Sequence, residues 1–314
     1  MSAIIAVVWD FDKTLVDGYM EEPIFEDYGI DGDEFWRETS QIAERLCTEQ
    51  GIMVNRDTYY LNRFIKYAKD GRFAGLDNAK LREYGGKLRF YPGAEEIFQK
   101  LKNSVESNPK YADTGIRVEH YIVSTGFRKV IEGSLFHSLV KRCYGCELID
   151  EPVGASGENV ISEIAYTIDN TTKTRALFEI NKGVGVLPKI DVNTKIGEEL
   201  RRIPFRNMIY VADGPSDIPA FSLVKRNGGS TFAVYPAGDF AAFSQVEGMR
   251  RDGRVQMFAE ADYRENTTAY MWLKKRVCDY ADRILTEQKE AILKGIGEPT
   301  PSHLSSAKEQ VIDK

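Results

Sequence analysis

The sequence predicts an α/β fold built on a mostly parallel sheet, and three observations carry that reading. Residues 3–9 (AIIAVVW) form an unbroken apolar run of strand length, as expected of a strand covered on both faces. From residue 88 the texture alternates: "LRFYPGAEEIFQKLKNS" reads as a turn and a helix, and "VEHYIVSTGF" as a second buried strand. Several of these apolar runs also end in aspartate or in a hydroxyl, where strands of a parallel sheet deliver polar groups to one edge.

The elements follow in order. Between the first strand and residue 88, "GDEFWRETSQIAERLCTEQ" (32–50) and "NRDTYYLNRFIKYAKDG" (55–71) carry apolar residues at helical spacing. The second opens on Asn55 as a candidate cap and closes on Gly71. They predict a separate helical module. The turn at Pro92 and Gly93 starts a helix at about Ala94, and the strand after it is expected to end at Ser124. "CYGCELIDEPVGASGENVISEIAYTI" predicts two strands joined by a glycine-rich turn, a hairpin. "NTTKTRALFEINKG" is a short helix ending at Gly183, "RNMIYVADG" and "STFAVY" are further short strands, and "RVQMFAE" is one more. Residues 267–293 form a long amphipathic helix, followed by a loose tail. The hairpin and the stretch 239–254 are extra to a minimal core and are candidates either to border the entrance of a site or to pack against a neighbour.

Composition narrows the function. A chain of 314 residues, 42% of them hydrophobic, can bury a full core. The 42 basic residues against 48 acidic ones leave a net charge of −6, so no basic field points to nucleic acid or an anionic membrane. The apolar run at residues 3–9 is far short of the roughly 20 residues that cross a bilayer, and no signal peptide or membrane span is expected. Four scattered cysteines, Cys47, Cys143, Cys146 and Cys278, suit a reducing compartment, and a cytoplasmic location is expected. The pair in "RCYGC" lacks a second pair and lies in an alternating strand pattern, so it reads as structural. His120, His137 and His303 sit in no motif, which leaves little for a histidine base.

The strand ends hold the chemistry. Asp10 and Asp12 follow the first strand, Ser124 ends the second, and "YVADGPSDIPAF" places Asp213 after a third, with Asp217 four positions on. Four carboxylates gathered at one sheet edge cannot all stay ionised unaided, since a like-charge pair at roughly 4 Å costs about 4 kcal/mol at an effective dielectric of 20. A divalent cation removes the conflict. An all-oxygen donor set favours Mg²⁺, which usually shares its shell with substrate phosphate.

"DFDKTL", "VSTGF", the lysine of "TTKT" and "ADGPSD" resemble, in order, the four motifs of the haloacid dehalogenase superfamily. The chain is most similar to its phosphoserine-phosphatase-like branch, in which a helical cap is inserted after the first strand. The resemblance implies a Rossmann-like doubly wound core over residues 1–17 and 88–294, a cap over 18–87 and a flexible tail over 295–314. It implies a Mg²⁺-dependent phosphatase that hydrolyses a small-molecule phosphate monoester through an aspartyl-phosphate. Asp10 would be the nucleophile and Asp12 the general acid and base. Ser124, Thr125 and Gly126 would hold phosphate oxygens, and Lys173 would offset negative charge. Asp10, Asp213, Asp217 and the main-chain carbonyl of Asp12 would serve the metal. Lys173 lies farther before Asp213 than in compact relatives, so Lys182 or Lys195 could take its place.

Asp12 is an acid where dehalogenating members lack one, which favours a phosphatase. A phosphotransferase, a phosphonatase and a catalytically silent binding protein are the alternatives on the same scaffold. For the leaving group, the acidic run Asp17, Glu21, Glu22, Glu26, Asp27, Asp31, Asp33 and Glu34 suggests a cationic group such as an amino alcohol or choline, with Trp36 or Tyr28 as aromatic partners.

Overall fold

The computed structural model describes residues 3–153 and 157–295. In chain order the elements are β1 (Ile4–Trp9), α1 (Glu22–Tyr28), α2 (Gly32–Gln50), α3 (Tyr59–Lys69), α4 (Asn78–Gly85), α5 (Ala94–Glu106), β2 (Arg117–Phe127), α6 (Arg128–Gly133), β3 (Arg142–Val153) and β4 (Glu158–Tyr166). They continue with α7 (Thr172–Lys182), β5 (Met208–Ala212), α8 (Ile218–Arg226), β6 (Ser230–Tyr235), α9 (Phe240–Arg251), β7 (Met257–Glu260) and α10 (Thr268–Gly295). The seven strands form one sheet in the order β4-β3-β2-β1-β5-β6-β7. All neighbours pair in parallel except β3 and β4, the antiparallel hairpin at the edge. The glycine-rich turn of that hairpin at 154–156, and the tail beyond Gly295, lie outside the described residues.

The uniform apolarity of β1 has the expected cause, since Ile5 to Trp9 are fully buried. Side chains alternate across a strand. Trp9 stacks on Phe98 of α5 at 5.1 Å between ring centroids. Val8 faces the other way, in register with Tyr210, whose ring meets Phe221 of α8 edge-on at 5.4 Å. Helices therefore cover both faces, and the sheet is the doubly wound one the sequence predicts.

Two local expectations shift. β2 runs on past Ser124 to Phe127, but its pairing with β3 is irregular between Val123 and Phe127, so Ser124 to Gly126 form a loosened stretch inside a strand rather than a strand end. α3 begins at Tyr59, not at Asn55: the Asn55 Oδ1 accepts the Asp57 N–H at 3.1 Å in a turn that precedes the helix, while its side-chain amide donates to Asp169 Oδ2 at 2.8 Å.

Three of the four helices between β1 and α5, with the loop after α3, share an aromatic cluster of Phe25, Phe35, Phe64, Tyr67 and Phe73. α4 meets α6 backbone to backbone. A Cβ on Gly133 of α6 would lie 1.7 Å from the Arg82 carbonyl oxygen, and one on Gly85 would lie 2.2 Å from that of Val130, so both positions need glycine for backbone contact. The hairpin braces the same helix: Ile161 N–H donates to the Leu76 carbonyl at 2.8 Å, and the Asn78 amide donates to the Leu148 carbonyl at 2.9 Å.

Candidate active site

Asp10 is the first residue past β1, and its N–H donates to the Val211 carbonyl of β5 at 2.8 Å. That one bond sets the tip of β1 beside the tip of β5, where Asp213 follows Ala212. One carboxylate oxygen from each of Asp10, Asp213 and Asp217 lies within 4.8 Å of the others. The donor set is all oxygen and fits a hard divalent cation.

Lys173, from the first turn of α7, reaches this cluster from below and is 1% exposed. Its Nζ donates to Asp10 Oδ1 at 2.9 Å and to Asp217 Oδ1 at 2.7 Å. Of the alternative lysines, Lys182 is spent elsewhere, on the carbonyls of Val192 and Thr194. Asp217 is fully buried and well supplied with donors, since Tyr210 Oη donates to its Oδ1 at 2.6 Å and Ser216 Oγ to its Oδ2 at 3.0 Å.

Electrostatics follow from burial. Loss of solvation, then the charge of Asp217, pushes the Asp10 carboxyl up to about 8 despite Lys173. The same two causes in the same order raise Asp213 to about 6. Burial holds Asp12 well above the usual carboxylate range, with Glu21 and Asp10 adding to it. Burial alone would lower Lys173, but Asp10 and Asp217 outweigh it and hold its pKa above the usual lysine value. A buried site with more carboxylates than cations is one that an added positive charge would relieve.

Asp12 is held by the segment leading into α1: its Oδ1 accepts the Met20 N–H at 2.8 Å. Met20 also accepts the Phe127 N–H on its thioether at 3.0 Å. A Cβ on Gly126 would fall 2.3 Å from the Met20 methyl and 3.2 Å from Asp12 Oδ2, so the 124–126 stretch and Asp12 are packed through one methionine.

Above these groups lies a cavity of about 430 Å³. Asp10, Asp12, Asp213, Thr125 and Gly126 line it; Ser124 does not. The Ser124 hydroxyl is 1% exposed and accepts the Gly126 N–H at 2.9 Å, so it shapes the loop whose next two residues form the wall. Of the acidic run, only Glu21 reaches this cavity, where burial pushes it up to about 7. Asp17, Glu22, Glu26 and Asp27 line a separate surface groove, and Tyr28 donates to the Ala74 carbonyl, away from the cavity. Trp36 is a wall residue as expected.

Sequence reasoning missed several neighbours. Tyr60 of α3 and Arg56 come from the helical insertion, and Gln245 comes from α9. Tyr60 Oη donates to the Thr125 carbonyl at 2.9 Å, a link no local pattern announces. Lys13 lines the mouth with a backbone φ of 52°, a left-handed conformation that is costly for lysine.

Known proteins resemble this chain in sequence or in fold. No family model matches the chain. It is 34% identical over 288 residues to an uncharacterized protein of Borreliella burgdorferi, covering 88% of this chain and 97% of that protein, and belongs to one family with it. Among solved structures, a HAD family hydrolase of Salmonella enterica serovar Typhi superposes with a TM-score of 0.50 at 12% identity, over 82% of this chain and 67% of that one. A phosphoserine phosphatase in apo form gives 0.49 at 16% identity, over 83% and 96%.

Proposed function

We propose that the chain, whose fold is shared with a HAD family hydrolase, is a haloacid dehalogenase-superfamily member and a Mg²⁺-dependent phosphatase acting on a small-molecule phosphate monoester. The observation that carries the reading is the buried group of Asp10, Asp213 and Asp217 with Lys173 bonded to two of them, at the floor of a cavity walled by Asp12 and Gly126.

Asp10, Asp213 and Asp217 are the residues that would hold Mg²⁺, together with the main-chain carbonyl of Asp12. When bound, the ion neutralises carboxylate and phosphate charge in a site that burial makes hostile to both. Asp10 attacks phosphorus and takes the phosphoryl group, and the ester oxygen leaves. Asp12, oriented by the Met20 N–H, gives that oxygen its proton; it then takes one from the water that cleaves the aspartyl-phosphate. An acid held above the usual carboxylate range is suited to donating a proton near neutrality. Thr125 and Gly126 form the wall that would meet the phosphoryl oxygens, and Lys173 keeps positive charge at the nucleophile.

Residues 18–87 act as the cap over the core formed by 1–17 and 88–294. Tyr60 and Trp36 contribute aromatic wall, and Glu21 supplies a buried acid beside it. That pairing supports a leaving group with an amine, such as a phosphorylated amino alcohol, because an ammonium beside Glu21 would restore its charge. Phosphate release with and without Mg²⁺ tests the reading, over phosphoethanolamine, phosphocholine, phosphoserine, sugar phosphates and nucleotides. Release that needs Mg²⁺, favours the amine esters and disappears in Asp10→Asn is expected; equal rates on neutral and amine esters would remove the role of Glu21, and full activity in Asp10→Asn would remove the mechanism.

A further inference from the structure

Tyr210 lies one layer beneath the site, in the middle of β5, with no exposed surface. Its ring is fixed edge-on against Phe221 of α8, and its hydroxyl emerges under the carboxylate cluster. There it donates to Asp217 Oδ1 at 2.6 Å, the same oxygen that accepts Lys173 Nζ at 2.7 Å. Lys173 in turn reaches Asp10 Oδ1 at 2.9 Å. Tyrosine, aspartate, lysine and nucleophile thus form one hydrogen-bonded chain without exposure at its inner end.

We propose that Tyr210 is a positioning residue that keeps Lys173 shared between Asp217 and Asp10; this rests on the phosphatase reading above and adds a residue to it. Donor supply is what decides the position of the ammonium. Asp217 Oδ1 is a buried anionic oxygen, and a buried anion draws in whatever donor is available, because an unmet acceptor there carries its full desolvation penalty. With the tyrosine hydroxyl in place, that oxygen has a second donor and Lys173 remains within reach of Asp10. Without it, the ammonium is the only side-chain donor left to Oδ1 among the described residues, and it is drawn toward Asp217 and away from the nucleophile and the phosphoryl group. Ser216 cannot compensate, since its hydroxyl serves Oδ2.

The test is a double-mutant cycle on Tyr210→Phe and Asp217→Asn in the full-length protein with saturating Mg²⁺, using p-nitrophenyl phosphate, whose leaving group needs little help from an acid and so reports on attack by Asp10. Tyr210→Phe removes one oxygen and keeps the ring, and its kcat is expected to fall about tenfold with KM within twofold of wild type. In the Asp217→Asn background the same change is expected to alter kcat by less than twofold, because the oxygen through which the hydroxyl acts has already lost its charge. Phe221→Leu, which loosens the ring's packing but leaves the hydroxyl, is expected to lower the melting temperature while keeping kcat within twofold. Unchanged kcat in Tyr210→Phe, or effects that multiply in the double variant, would overturn the assignment of Tyr210 alone. A wild-type protein that releases no phosphate from this ester or from the wider panel overturns the phosphatase reading itself.

Discussion

Gly126 shows how narrowly single residues are constrained here. It sits where a methyl group would strike the Met20 side chain at 2.3 to 2.5 Å and approach Asp12 Oδ2 at 3.2 Å. Gly126→Ala should therefore displace Met20, loosen the N–H that holds Asp12, and lower kcat by about tenfold or more, while thermal melting moves by only a few degrees; steady-state kinetics alongside melting curves check both halves. His120 carries a second prediction. Its Nδ1 accepts the Trp9 indole N–H at 3.1 Å, so its proton is on Nε2, which donates to the Phe98 carbonyl at 3.0 Å. Both ring nitrogens are committed to the neutral form, and burial lowers the pKa from 6.5 to about 3. The folded state thus binds one proton fewer than the unfolded state between those values. The His120 contribution is complete above about pH 6.5 and is lost by about 1.4 kcal/mol per unit as pH falls toward 3, while the raised carboxyls of Asp10, Glu21 and Asp213 act in the opposite sense. Urea titrations of wild type and His120→Gln at pH 7 and pH 4.5 isolate it: His120→Gln, which can both accept and donate at the same place, should gain stability relative to wild type at pH 4.5 compared with pH 7.

The residues that can be read from sequence and those that cannot differ in how they reach the site. Asp10, Asp12 and Asp213 stand at strand tips, where a local pattern announces them, and the structure brings them to one cavity. Lys173 is legible through the "TTKT" resemblance, and its bond to Asp10 distinguishes it from Lys182, which the sequence allows in the same role. Tyr210 and Tyr60 act across elements, one through Asp217 and the other through the Thr125 carbonyl, and no spacing within their own strand or helix encodes a partner so far along the chain. The acidic run misleads for a related reason, because composition does not say which way a helix faces, and only Glu21 turns inward.

At the scale of elements, the helical insertion is held very differently on its two sides. α4 is locked to α6 by glycine-mediated backbone contact and to the β3–β4 hairpin by the Ile161 and Asn78 hydrogen bonds. The loop between α2 and α3 is joined to the start of α7 by two polar contacts, Asn55 to Asp169 at 2.8 Å and the Asn170 N–H to Asp57 Oδ2 at 3.0 Å. Opening should therefore begin in the loop between α2 and α3, since α4 is fixed and α3 itself packs on Phe127 of β2 through Tyr60 and Phe64. Hydrogen exchange is expected to be faster at residues 51–58 than at 76–85, and Asn55→Ala with Asp57→Ala should widen that gap. Gly133→Ala tests the fixed edge directly: its methyl would meet the Arg82 backbone at 1.7 Å, so a loss of at least about 2 kcal/mol in folding stability is expected by denaturant titration. The predicted order of strands and helices from residue 88 onward survives in the structure, because each of those elements carries its own apolar period. The start of α3 departs from the sequence pattern because the Asn55 Oδ1 accepts the Asp57 N–H in a turn over residues 56–58 that comes before the helix.

Over the whole molecule, the parallel sheet brings side chains from β1, β2, β5 and α7 to a single edge and buries them deeply enough that their charges must be shared. Burial raises Asp10, Asp12 and Asp213 together, and the protein sets Lys173 against them. The insertion then roofs the cavity with Trp36, Tyr60 and Glu21. All of this chemistry converges on the Asp10 carboxylate, the group we propose to accept phosphorus. Mass spectrometry of the protein quenched in acid during turnover with Mg²⁺ and reduced with borohydride tests that most directly. A modification confined to Asp10 and absent from Asp10→Asn is the predicted result; turnover with an unmodified Asp10, or with the label on another residue, would contradict it.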